Sequence, residues 1–274
     1  MKINVVGILS LAKQIGKHAL HKLESGDLTV QLKADNTPVT NVDIEAAGLI
    51  RDGLNKLTPD IPIITEEDSE QISVVNDKLS QPIKWFIDPI DGTRTAIGFA
   101  SGKEDHDGWG IHMGLVDANM PDKGFVYFPA RNGGTFYFTS EDGKAYKQVG
   151  ENDPVEISVK SLLENEKISA SVGWKKKDQP QKIGGREYDP IFAVGGERAC
   201  LVADATSHIG WLGALFSPWD IAASHAVLRA ANGFIVSLED GDNNLGYSNR
   251  NLTLKPGVAG ALSSLEKLGY CLKK

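Results

Sequence analysis

The stretch WFIDPIDGTRTAIG, residues 85–98, decides how the rest of the chain is read. An apolar run, Trp85-Phe86-Ile87, ends in Asp88; Pro89 and Ile90 follow, then Asp91-Gly92-Thr93. Asp, Pro and Gly are ordinary turn formers, so the segment by itself reads as a tight loop leaving a buried strand. Two carboxylates three residues apart, with a glycine and a hydroxyl behind them, are equally a set of hard oxygen donors. The choice depends on whether other acids occupy comparable positions.

They do. IPIITEED is a short strand over 61–65 running into Glu66-Glu67-Asp68, and PWDIAASHAVLRAANG opens a helix with Asp220 at its start. Asp43 sits in the first turn of a helix over 41–57. Each has an ordinary explanation when taken singly. Asp220 serves as an N-cap for a helix over 221–231. Glu66-Glu67-Asp68 is a solvated face, and Asp43 is a first-turn acid worth a few tenths to ~1 kcal/mol. If Glu66, Asp88, Asp91 and Asp220 converge, their mutual repulsion raises their pKa values and destabilises the fold unless a cation joins them. Mg²⁺ suits such a set, since it takes a few carboxylates, water and substrate phosphate oxygens. The spacing excludes an EF-hand, which needs oxygen ligands at alternate positions and a glutamate at the twelfth.

The remaining organisation is that of a folded mixed chain. Val5, Ile8, Leu9, Ala12, Ile15, Ala19 and Leu23 recur at helical spacing, which predicts an amphipathic helix over 4–25. A polar turn with Pro38 follows. The segment 101–108, SGKEDHDG, reads as a surface loop, with a lid over the leaving group as the alternative. From 109 to 149 short β-rich runs alternate with Asp, Asn and Gly turns, an antiparallel meander. KISASVGW and GFIVSLEDG are further strands, Asn232-Gly233 closes the helix begun near Asp220, and GALSSLEKLGYCL supplies the last helix. Two tightly packed lobes, 1–150 and 151–274, are expected, the first carrying most of the acids and the second contributing Asp220.

Composition narrows the partners. The chain has 274 residues, 41% hydrophobic and 24% charged, with 29 basic against 36 acidic side chains and a net charge of -7. A nucleic-acid polymer or an anionic membrane would want a basic footprint, so neither is the expected partner. A small phosphorylated metabolite is compatible, because bound divalent cations supply positive charge locally. Cys200 and Cys271 show no metal spacing and fit a reducing compartment. No run reaches the ~20 apolar residues of a membrane span, and the N-terminal segment reads as a helix, not a signal peptide. A cytoplasmic protein is expected, and the sequence leaves a homodimer open.

KADNTPVTNVD, IPIITEED, WFIDPIDGT and PWDIAA occur in that order, with spacings that resemble the magnesium-dependent, lithium-sensitive phosphomonoesterases of the inositol monophosphatase superfamily. The resemblance covers roughly residues 5–241 and rests on Asp-Pro-Ile-Asp-Gly-Thr followed downstream by Trp-Asp-x-Ala-Ala. It implies an α+β fold, a layered αβαβα sandwich of the sugar phosphatase type, with an antiparallel-rich N-terminal sheet and a smaller mixed C-terminal one. It implies that Glu66, Asp88 and the Ile90 carbonyl hold a first Mg²⁺, that Asp88, Asp91 and Asp220 hold a second, and that Glu67 serves a third or an outer position. Mn²⁺ is an alternative occupant, while Ca²⁺ and Li⁺ inhibit. Two such ions roughly 4 Å apart clamp the attacking and leaving oxygens of an in-line displacement.

By the same resemblance, Gly92 and Thr93 begin a helix whose amides face the phosphate. Asp43 orients the Thr93 hydroxyl, and the pair, with Glu66, positions the attacking water. Asp91, Gly92, Thr93 and Asp220 contact substrate. KADNTPVT and IPIITEED are most similar to the 3'(2'),5'-bisphosphate nucleotidase branch. Two departures keep inositol, sugar and histidinol phosphates open as substrates. Gly195-Gly196-Glu197-Arg198 stands where Gly-Ser-Ala-like residues are usual, and Ala214-Leu215-Phe216-Ser217-Pro218 lacks the glutamate that contacts an inositol ring. Pro218-Trp219-Asp220 also resembles the histidinol-phosphatase branch. Lys175-Lys176-Lys177 reads as a solvated run, with a second-phosphate contact as the alternative. His106, His112 and His225 have no ligand spacing. A metal-binding regulator without catalysis is the reading from outside the enzymes; Thr93 and Asp43 argue against it, since holding metal alone needs neither.

Overall fold

A computed structural model describes residues 3–34, 36–68, 72–103, 107–175, 179–213 and 216–273. His106, Lys176, Lys177, Ala214 and Leu215 lie outside them. Helix α1, Val5–Ser25, is capped by Asn4, whose side chain accepts from the Gly7 amide, and ends at Gly26 in the left-handed region. Helix α2, Asn41–Leu57, starts where the sequence pattern puts it, because Thr40 and Asp43 form a reciprocal capping box. Between the two helices, β1 (Val30–Leu32) and β2 (Pro38–Thr40) form an antiparallel hairpin, where the sequence suggested only a polar turn.

A seven-stranded sheet follows, built from β3 (Ile63–Thr65), β4 (Ile83–Asp91), β5 (Gly110–Asp117), β6 (Met120–Phe128), β7 (Thr135–Thr139), β8 (Ala145–Val149) and β9 (Val155–Glu156) in spatial as well as chain order. Only β3 and β4 run parallel, with helix α3 (Ile72–Leu79) between them in the chain; the others form the expected meander. Along β4 and β6 successive side chains serve opposite faces. Trp85, Ile87, Phe125 and Tyr127 pack with α1 and α2, while Phe86, Val126 and Phe128 pack on the other side. The sheet is therefore buried on both faces, which explains the almost unbroken apolar runs in these strands.

The second sheet has five strands in the order β11-β10-β12-β14-β13, comprising β10 (Ile168–Val172), β11 (Tyr188–Phe192), β12 (Ile209–Leu212), β13 (Gly233–Ser237) and β14 (Gly257–Ala261). The strands β11, β10 and β12 are mutually parallel, and β14 is antiparallel to both of its neighbours. Helices α5 (Glu197–Ala203) and α6 (Pro218–Ala230) fill the space between the two sheets, and α7 (Leu262–Lys267) packs on β13 and β14. Layers of helix, sheet, helix, sheet and helix result. The middle core joins residues from both sides of position 150, such as Phe86, Val126, Val202, Ala223 and Ile235. α6 approaches closely because Gly114 and Gly124 face it; a Cβ on Gly124 would lie 1.9 Å from the Ala223 carbonyl oxygen.

Strand β14 differs from the sequence expectation, which drew Gly260-Ala261 into the last helix. Its residues, GVAGA, have little intrinsic strand preference, but all five are buried and pair with both β12 and β13. Tertiary pairing overrides local propensity here.

Candidate metal and phosphate site

Asp88 and Asp91 belong to β4 itself, not to a turn beyond it. On a regular strand, residues three apart point to opposite faces. The pairing with β5 shifts register between Asp88, opposite His112, and Asp91, opposite Gly110. This irregularity, made at Pro89 where no N–H is available to the ladder, turns both carboxylates into one cavity. Asp88 Oδ1 accepts from the Ile90 amide at 3.0 Å and closes the kink. Helix α4, Thr93–Ala100, starts at once, with Gly92 as its N-cap at φ 83, a left-handed conformation that glycine adopts without a Cβ clash.

The cavity has a volume of about 470 Å³, and its wall includes Glu66, Asp88, Ile90, Asp91, Thr93 and Asp220. Glu66 comes from the single helical turn Glu66–Asp68 after β3, and Asp220 from the first turn of α6. The fold thus brings all four acids to one place. Asp220 is not the N-cap of its helix. Ser217 is, and Asp220 is the third residue of a capping box, accepting from the Ser217 amide at 2.7 Å. Asp43 plays the same part at α2, accepting from the Thr40 amide at 2.9 Å through Oδ2. Its other oxygen, Oδ1, accepts from the Thr93 hydroxyl at 3.0 Å. One carboxylate therefore caps a helix and orients a hydroxyl on the cavity wall. Asp43 and Glu67 are not part of that wall.

The electrostatics are strained in one direction. Burial first, then the Glu66, Asp91 and Asp220 charges, push the Asp88 carboxyl well above the usual carboxylate range. Burial and the Asp91 charge do the same to Asp220. Asp91 is pushed up to about 7, by burial and then by the Glu66 and Glu197 charges. Burial raises Asp43, against hydrogen bonds from Thr40 and Thr93 that pull it back. Asp91 Oδ2 is buried and has no hydrogen-bond partner.

Among the described residues, no three acidic, histidine or cysteine side chains already close around one point as a ligand cage. A lysine to which no sequence motif gives a role, Lys33, also reaches these acids. From just past β1 its ammonium reaches Glu66 Oε1 at 2.6 Å and Glu67 Oε1 at 3.1 Å, so a protein cation partly neutralises the cluster. The donor set still fits a hard divalent ion. It consists of carboxylates and the Ile90 carbonyl, contains no thiolate or imidazole, and includes an orphaned oxygen on Asp91.

Several further residues have contacts that their sequence context does little to signal. Gly195 has φ +24, and a Cβ there would lie 2.4 Å from both carboxylate oxygens of Asp91. The doubled glycine of the GGER stretch was the only signal for it. Glu197 is buried and paired with Arg131, which also stands 3.6 Å from Asp107 in the 101–108 segment. His112 is fully buried, with Nε2 3.5 Å from Asp91 Oδ2, and burial pulls its pKa down to about 4. His225 hydrogen-bonds the Tyr247 hydroxyl at 2.8 Å, inside the core.

The fold recurs in known proteins. Residues 5–269 match the family model described as the inositol monophosphatase family. The chain is 30% identical over 257 residues to the 3'(2'),5'-bisphosphate nucleotidase CysQ of Escherichia coli O157:H7, covering 91% of this chain and 96% of that one. It is 26% identical over 263 residues to the CysQ nucleotidase of Haemophilus influenzae, covering 91% and 89%. Among solved structures, CysQ from Bacteroides thetaiotaomicron, a bacterial member of the family, superposes with a TM-score of 0.71 at 22% identity, covering 94% of this chain and 97% of that one. The suhB extragenic suppressor protein of Bartonella henselae gives 0.72 at 20% identity, covering 98% and 97%. The family is one of metal-dependent phosphatases, and an acid-lined cavity that a cation must complete is what such chemistry requires. With its motifs in place and its whole length matched, the chain belongs to the inositol monophosphatase family and is a phosphoric monoester hydrolase.

Proposed function

We propose that this enzyme is a Mg²⁺-dependent phosphatase whose substrate is a nucleoside 3'(2'),5'-bisphosphate. The observation that carries the reading is the meeting of Glu66, Asp88, Asp91 and Asp220 in one cavity beside the Asp43–Thr93 hydrogen bond. Similarity to the CysQ nucleotidases over nearly the whole chain supports the choice of substrate. The four carboxylates and the Ile90 carbonyl would hold Mg²⁺, with Glu67 near a further position. When bound, Mg²⁺ supplies a lowered water pKa and positive charge at the phosphate and leaving oxygens.

The chain's own groups do the rest. Thr93 spends its hydroxyl proton on Asp43, so its oxygen lone pairs face the cavity and accept a hydrogen bond from the attacking water, fixing its approach. Asp43 holds that orientation from within a helix cap, where the backbone cannot yield. The Gly92 and Thr93 amides open α4 toward the phosphate, whose charge the helix start favours. The cavity draws Glu66, Asp88 and Asp91 from the first half of the chain and Asp220 from the second, which supports reading the chain as two tightly packed lobes. No described helix is long and apolar enough to cross a membrane. The cysteines Cys200 and Cys271 are free, in keeping with a cytoplasmic setting.

Phosphate release measured with Mg²⁺ across adenosine 3',5'-bisphosphate, inositol 1-phosphate, fructose 1,6-bisphosphate and histidinol phosphate tests the reading. Adenosine bisphosphate is expected to give the highest kcat/KM, with activity abolished by excess chelator and inhibited by lithium. Equal or better turnover of inositol phosphate, or turnover that persists in chelator, overturns it.

A further inference from the structure

Beside the acid-lined cavity lies a second one of about 750 Å³, walled in part by Phe99, Lys103, Arg131, Trp174, Phe192 and Glu197. Thr95, Trp174, Ala193 and Val194 line both, so the two form one continuous cleft. Both volumes fall within the range of roughly 300–1,000 Å³ typical of small-molecule sites. The carboxylates account for the first half of the cleft, and nothing in the phosphatase chemistry accounts for the second.

Its distinctive feature is a pair of aromatic rings. Strands β10 and β11 run parallel with Val172 opposite Phe192, so Phe192 and Trp174, two residues past Val172, emerge at the same carboxyl edge of the sheet. In parallel α/β sheets, that edge is where ligands bind. The two rings stack, with centroids 5.1 Å apart and planes 24° from parallel. They are nevertheless exposed, Trp174 at 64% and Phe192 at 42%. Phe192 thus stiffens Trp174 without covering it, and much of the indole surface stays open to solvent beside the cleft.

The surroundings match a flat heterocycle. Such a ring wants an apolar face to stack on and polar groups at its edge, as base-binding surfaces provide. Trp174, Phe192 and Phe99 supply the apolar part, while Lys103, Asp107 and Arg131 supply the polar rim. A phosphorylated polyol, with hydroxyls on both faces, gains less from the aromatic pair than a flat base whose whole face can stack. Arg94 and Lys175 line the half of the cleft that holds the acids, close enough to serve a substrate with more than one phosphate.

Resting on the substrate reading above, we infer that Trp174, backed by Phe192, is the stacking platform for the base of the leaving nucleoside 5'-phosphate and sets the preference for nucleotides over phosphorylated sugars. The test compares wild type, Trp174→Ala, Trp174→Phe and Phe192→Ala at saturating Mg²⁺, with kcat and KM measured on adenosine 3',5'-bisphosphate and on ribose 5-phosphate. Base–aromatic stacking leads us to expect Trp174→Ala to lower the nucleotide-to-ribose ratio of kcat/KM about tenfold, through KM and not kcat. Phe192→Ala should lower it less, and Trp174→Phe should retain most of it. A nucleotide preference that survives Trp174→Ala, or an equal loss on both substrates, overturns the inference alone. A wild-type enzyme that does not prefer the nucleotide overturns the substrate reading as well.

Discussion

Asp91→Asn removes one charge from the most crowded part of the acid cluster while keeping the side chain's shape. The Asp91 carboxyl is raised from 3.8 to about 7, chiefly by burial. Between those two values the folded protein binds more protons than the unfolded chain, so metal-free stability falls as pH rises from 4 to 7 and the full penalty applies above that range. At pH 8 a shift of this size corresponds to about 4 kcal/mol. Asparagine escapes that penalty, but its amide meets a site where Asp91 Oδ2 already lacks a partner, at a cost of about 1–3 kcal/mol. The expected balance is a stabilisation of about 2 kcal/mol, or a rise in Tm of roughly 4–8 °C in excess chelator. Lowering the pH from 8 to 6 should raise the wild-type Tm and move that of the variant less. Millimolar Mg²⁺ should reverse the order, because a ligand at a hundred times its Kd stabilises the folded state by about 2.7 kcal/mol, and the variant has lost a ligand. Thermal unfolding followed by circular dichroism reads all three effects. A variant Tm at or below wild type in chelator would show that the Asp91 charge carries no such penalty, and the same Mg²⁺-induced rise in both proteins would show that Asp91 is not a metal ligand.

Thr93→Ala should lower kcat about a hundredfold or more while preserving the Mg²⁺-induced rise in Tm, since it removes water positioning and leaves the carboxylates; a normal kcat, or a lost Mg²⁺ response, contradicts the role given to Thr93. Asp43→Asn should match it kinetically, and the double variant should be little worse than either single one if the pair acts as a unit. Gly195→Ala, whose Cβ would collide with the Asp91 carboxylate, should lower both Tm and the Mg²⁺ response. Gly102→Ala is the control, since φ +70 there is strained but nothing lies within 4 Å; it should cost about 1–2 kcal/mol and leave the Mg²⁺ response intact. If the two alanine variants lose the same Mg²⁺ response, the contact with Asp91 has no functional meaning.

Features that short-range physics encodes are legible in the local residues. Helix α2 begins at Asn41 because Thr40 and Asp43 satisfy each other's backbone groups within one turn. Helix α1 follows an apolar stripe repeating at helical spacing, and α6 ends where Asn232 turns left-handed at φ 63. The acidic motifs and their order were legible as well, and with them the chemistry they could support. Where those acids point depends on contacts between distant parts of the chain. A regular strand would have set Asp88 and Asp91 on opposite faces, and a register irregularity held by the neighbouring strand sets them on one. Asp220 reaches them because α6 lies close against β5 and β6 through Gly114 and Gly124, contacts between residues far apart in the chain. Strand β14, the Lys33 contacts with Glu66 and Glu67, and the Trp174–Phe192 stack arise in the same way. Caps and periodicities act over a few residues and leave their mark locally, whereas register, close approach and convergence are set by surfaces that meet only once the chain has folded.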